Sequence, residues 1–83
     1  MDIRILFGAN ARHFRNLAGL SQEAVAERMG VDRAYVSLIE RGGQNVTLLS
    51  IHELARALRV RPADLLADPP HGEEPRPAEP GGA

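Results

Sequence analysis

The sequence has no cysteine. That excludes a disulfide staple and a thiolate metal site. It has no tryptophan, one tyrosine (Tyr35) and two phenylalanines (Phe7 and Phe14), so any core must be largely aliphatic. No apolar run approaches the ~20 residues of a membrane-spanning helix. The N-terminal stretch carries Arg12 and Arg15 after its short apolar segment and lacks a secretory pattern, so a cytoplasmic protein is expected. Lysine is also absent, and all ten basic residues are arginine. Arginine suits bidentate contacts to phosphate and guanine better than lysine does, although coding bias produces the same pattern.

What remains is 83 residues, enough for one small domain. A chain of this size buries only about 60–65% of its unfolded surface, so every apolar face has to be used. The net charge of −1 is unevenly spread. Residues 1–67 hold nine arginines against seven acids, whereas residues 68–83 hold Arg76 against Asp68, Glu73, Glu74 and Glu79. The first part is mildly basic and the last is acidic. Residues 68–83, DPPHGEEPRPAEPGGA, contain five prolines and three glycines and no large apolar side chain. Such a segment is expected to be a disordered tail, which ends the folded domain near Ala67.

Punctuation divides residues 1–67 into five short helices. Phe7, Ala11, Phe14 and Ala18 recur at helical spacing over residues 2–18, and Gly19 stops the run. Ser21 is an N-cap, with Val25, Ala26 and Met29 inward and Gly30 ending the second helix. Asp32 opens the third, with Val36 and Ile39 inward, and Gly42-Gly43 break it after Arg41. Thr47 caps the fourth, whose inward set is Leu48, Ile51, Leu54, Ala55 and Leu58. Pro62 fits the first position of a fifth helix ending in Leu65-Leu66. No strand-like alternation is present, so the fold class is all-α.

Residues 21–41 thus form two short helices joined by a tight glycine turn, a helix-turn-helix. Gly19-Leu20-Ser21-Gln22-Glu23, Ala26-Glu27-Arg28-Met29-Gly30-Val31, Val36-Ser37-Leu38-Ile39-Glu40-Arg41-Gly42 and Leu54-Ala55-Arg56-Ala57-Leu58 follow one another at consistent spacing. Together they resemble the Cro/phage-repressor type of helix-turn-helix domain, the group of xenobiotic-response-element-type transcriptional regulators. The resemblance covers residues 6–67 and implies a compact five-helix, lambda-repressor-like DNA-binding domain. It also implies a partly buried ion pair between Arg15 and Glu40 that fixes the angle between the first and third helices.

With Val36 and Ile39 inward, helical geometry puts Ala34, Ser37, Leu38 and Arg41 on the opposite stripe, flanked by Arg33 and Tyr35. A recognition helix enters the major groove with its N-terminal residues at the base edges. Arg33 can then reach guanine bidentately, and Leu38 can meet a thymine methyl. The resemblance assigns backbone contacts to Gln22, at the start of the second helix, and to Gln44 and Asn45 after the third. Turn formation alone would also account for Gln44 and Asn45.

The expected function is a sequence-specific regulator binding double-stranded DNA as a homodimer on inverted repeats, either a small repressor or a restriction–modification controller. Leu49, Leu65 and Leu66 are the expected dimer contacts, since only one of two adjacent leucines can face the core. The alternative is a protein-interaction module on the same scaffold, such as an antitoxin. Catalysis has little support: His13, His52 and His71 are scattered, and no nucleophile has a partner. Nothing in the sequence implies a metal, a cofactor, a small-molecule ligand or a membrane.

Overall fold

The computed structural model describes residues 2–68, and the expected tail lies outside them except for Asp68. Five helices follow in order: α1 (Ile3–Leu17), α2 (Gln22–Met29), α3 (Arg33–Glu40), α4 (Leu48–Leu58) and α5 (Pro62–Leu66). No strand occurs among the described residues.

The helix boundaries follow from side chains that satisfy free backbone amides. Asp2 accepts from the Arg4 amide, Ser21 from Ala24 and Thr47 from Ser50. Arg4 also hydrogen-bonds the Asp2 carboxylate and holds its pKa down to about 2, so this cap persists until the pH falls that far. Asp32 stands at the N-cap of α3 as expected, but its side chain makes no capping bond. Pro62 is the first residue of α5.

The core gathers Phe7 and Ala11 of α1, Val25 and Ala26 of α2, Val36 and Ile39 of α3, Leu54, Ala55 and Leu58 of α4, and Leu65. The third helix packs on both α1 and α2. Gly30 makes the turn between α2 and α3 in the left-handed region (φ 74°), which glycine adopts at little steric cost.

Two inward assignments and one dimer-contact assignment fail. Ala18 is exposed, because α1 has already ended at Leu17. Leu48 is 85% exposed although it shares an angular position with Ala55. It is the first residue of α4, and that turn projects beyond the core. Leu65 is fully buried and belongs to the core, so it presents no surface for a dimer contact, while Leu66 and Leu49 remain 43% and 69% exposed.

Two buried residues of α1 have no signature in the apolar pattern. Asn10 donates from Nδ2 to the carbonyls of Leu65 (3.0 Å) and Ala67 (2.8 Å), tying the end of α5 to α1. Gly8 marks the closest approach of α1 to α3. A Cβ there would stand 2.4 Å from the Ile39 carbonyl oxygen and 2.9 Å from that of Glu40. Both neighbours are backbone and cannot rotate away. Gly8→Ala should therefore destabilise the fold by about 2–3 kcal/mol despite alanine's better helix propensity. Urea denaturation checks this, and an unchanged or raised midpoint would contradict it.

Candidate nucleic-acid interface

The site is assembled around Glu40, the last residue of α3. Its carboxylate accepts two bonds from Arg15 of α1, from Nε to Oε2 at 2.6 Å and from Nη2 to Oε1 at 3.1 Å. Arg15 Nη1 donates at 2.9 Å to the Leu20 carbonyl, in the turn before α2. The two side chains are only 13% and 4% exposed. Hydrogen bonding to Glu40 raises the Arg15 pKa further above its ordinary value, outweighing the desolvation that lowers it. The expected pair is thus present, and it ties α1, the α1–α2 turn and α3 together.

The pair continues outward. Gln22 Nε2 donates to Glu40 Oε1 at 3.1 Å, and Gln22 Oε1 accepts from Arg33 Nη1 at 3.1 Å. A hydrogen-bonded chain therefore runs from Arg15 inside the domain to Arg33 at the exposed start of α3. Residue by residue, the sequence marks Gln22 and Arg33, but their mutual bond is a contact across eleven positions that no local pattern announces.

The expected contacts differ in exposure. Arg33, Ala34, Arg41 and Asn45 are exposed. Ser37 and Leu38 are half-buried, and Leu38 lies over Gly43, where a Cβ would stand 3.0 Å from Leu38 Cδ1. Tyr35 is turned partly inward against the core, with its hydroxyl donating to Ser50 Oγ at 3.0 Å. Gln44 is half-buried and donates to the Asn45 carbonyl at 3.3 Å. With Asn45 it borders an apolar cavity of about 190 Å³ between Ile3, Phe7, Val46, Ile51 and Leu66. No group of three potential metal ligands occurs among the described residues, and no helix there is long and apolar enough to cross a membrane.

Two short helices packed together across a tight glycine turn, with an exposed arginine at the start of the second, define a helix-turn-helix protein. The helix-turn-helix family model matches residues 12–65, and the chain belongs to that family. It is 44% identical over 66 residues to the control protein C.BamHI of Bacillus amyloliquefaciens, covering 78% of this chain and 82% of that protein. Among solved structures it resembles the restriction–modification controller protein C.AhdI of Aeromonas hydrophila. The TM-score is 0.72 at 45% identity, over 75% of this chain and 94% of that one. It also resembles a hypothetical transcription factor from Neisseria, with a TM-score of 0.78 at 43% identity over 84% of this chain and 79% of the other.

Removing the Glu40 carboxylate would leave Arg15 shielded from water with only the Leu20 carbonyl. Glu40→Ala should cost about 2–4 kcal/mol, more than an exposed ion pair contributes. Chemical denaturation measures it, and a loss below about 1 kcal/mol would show that the pair behaves as a surface one.

Proposed function

We propose that the protein is a sequence-specific, DNA-binding transcriptional regulator of the restriction–modification controller or small-repressor kind, acting as a homodimer on inverted-repeat operators. The observation that carries this reading is the bonded chain Arg15–Glu40–Gln22–Arg33. It orients a guanidinium at the N-terminal end of an exposed helix, where a major-groove reader needs it. The names of the similar proteins, a control protein and a restriction–modification controller among them, support the same class.

In this reading residues 1–67 are the DNA-binding domain. Arg33 exchanges its bond to Gln22 for the O6 and N7 edge of a guanine. Ala34, Ser37 and Leu38 line the groove beside it, and Leu38 meets a thymine methyl. Gln22 keeps its bond to Glu40 and turns its second amide hydrogen toward a phosphate. Arg41, Gln44 and Asn45 hold the backbone on the other side of the helix. Tyr35 reaches the sugar-phosphate backbone by its exposed edge. The protein works in the cytoplasm and is not an enzyme.

Dimerisation uses Leu49 and Leu66, two of the leucines exposed in the C-terminal half of the fold. An isologous contact there sets the two recognition helices about one DNA turn apart, roughly 34–36 Å. Leu49→Asp with Leu66→Asp should turn a dimer into a folded monomer in sedimentation. A wild-type chain that stays monomeric at high micromolar concentration would contradict the dimer.

Arg33→Ala should cost about 1–3 kcal/mol on a cognate site and relax discrimination at one guanine. Asn45→Ala should weaken binding to all sequences alike, and Leu38→Gln should alter preference at a thymine with little effect on stability. Anisotropy titrations over single-base variants at one salt concentration check all three. A folded protein in which none of these substitutions affects DNA, or whose binding to random duplex is insensitive to salt, would favour the interaction-module reading.

A further inference from the structure

The first turn of α1 lies against the loop between α3 and α4. A Cβ on Gly42 would stand 2.9 Å from Ile5 Cγ1 and 3.2 Å from Ile5 Cα. The residue after Arg41 therefore meets the residue after Arg4. Arg4 also shares the rim of the apolar cavity with Gln44 and Asn45. The fold thus brings a cation from α1 to residues 41–45, a segment nearly forty positions further along the chain.

Arg4 is oriented by Asp2. Its Nε donates to Asp2 Oδ1 at 3.1 Å and Oδ2 at 3.2 Å, and its Nη2 donates to Oδ2 at 2.6 Å. Asp2 is anchored in turn, because its Oδ1 accepts from the Arg4 amide as the N-cap of α1. The carboxylate thus occupies the Nε–Nη2 edge of the guanidinium. Nη1 makes no hydrogen bond among the described residues, and the side chain is 44% exposed. The second edge, formed by Nη1 and the other hydrogen of Nη2, is left to an outside acceptor, and two phosphate oxygens match its fork. The charges nearby favour an anion. Arg41 is exposed, and the carboxylate of Glu40 is already taken up by Arg15.

We propose that Arg4 is a phosphate contact, which extends the DNA-backbone footprint from the α3–α4 loop onto α1, and that Asp2 positions its guanidinium. The inference rests on the DNA-binding reading above and adds an element to it. Arg4, Arg41 and Asn45 then hold one stretch of the sugar-phosphate backbone from two sides of the same loop. A contact of this kind holds the protein on the duplex without reading a base. Orientation by Asp2 in the free protein reduces the rotamer freedom that Arg4 loses on binding.

The test is a set of DNA titrations of the full-length protein from about 50 to 200 mM salt, on a cognate and on a random duplex. Arg4→Gln leaves the cap of α1 in place, since Asp2 bonds the backbone amide of residue 4. It should weaken binding to both duplexes alike and keep the base preference. It should also reduce the slope of log affinity against log salt by about 0.9 for each subunit bound. Arg4→Lys, which keeps the charge, should keep the slope. Arg56→Gln removes the same charge eight residues beyond Leu48, about 12 Å along α4, and should leave the slope as in the wild type. An unchanged slope in Arg4→Gln would overturn the proposal. So would an equal reduction in Arg56→Gln, which would make the effect one of net charge. An altered base preference would contradict a backbone role, and loss of the dimer in sedimentation at an unaltered slope would assign Arg4 to the subunit contact. Wild-type binding that is insensitive to salt would instead bring down the DNA-binding reading itself, and the proposal with it.

Discussion

The ion pair between Arg15 and Glu40 sets the geometry on which the rest depends. A carboxylate with 4% exposure is costly to bury unless its oxygens are satisfied, and here both are, by the same guanidinium. Bidentate geometry is directional, so the pair constrains the orientation of α3 on α1 in a way that aliphatic packing alone does not. Gly8 lets the two helices come close enough for it to form. The same carboxylate then accepts a third bond, from Gln22, and so carries the fixed geometry out to Arg33. The scaffold and the exposed start of α3 are parts of one network.

That arrangement gives Gln22 two tasks. Its amide oxygen restrains Arg33 and its amide nitrogen is anchored on Glu40, with one hydrogen left over. A long arginine side chain loses much rotamer freedom on binding, and restraint in the free protein reduces what remains to be lost. On the proposed reading, exchanging the Gln22 bond for a guanine edge would cost one neutral acceptor and gain two.

Much of this was legible from sequence. Ser21, Gly30, Thr47 and Pro62 are local signals with local physical causes, and each helix starts or ends where they indicate. The ion pair was legible through the family resemblance. What was not legible depends on distant parts of the chain. Leu48 has the angular position of a core residue, but periodicity does not say whether anything stands above a first turn. Gly8 reads as a weak helix residue until the Ile39 and Glu40 carbonyls are seen beside it. Asn10 reads as polar surface until the end of α5 supplies its acceptors. Tyr35 reads as a groove residue, yet its hydroxyl is bonded to Ser50 of α4. The left-handed Arg59 has no sequence signal, because arginine is not the residue type expected there.

On the proposed reading, a network rooted in the buried Arg15–Glu40 pair aims one arginine per subunit at DNA in a two-fold arrangement. Selection of bound duplexes from a random library by the full-length protein tests it most directly, since half-site and spacing emerge together. The expected product is an inverted repeat whose half-site centres lie about 10–10.5 base pairs apart, with a strongly enriched guanine in each half. Enrichment of isolated half-sites or direct repeats, or no enrichment above the starting library, would contradict it.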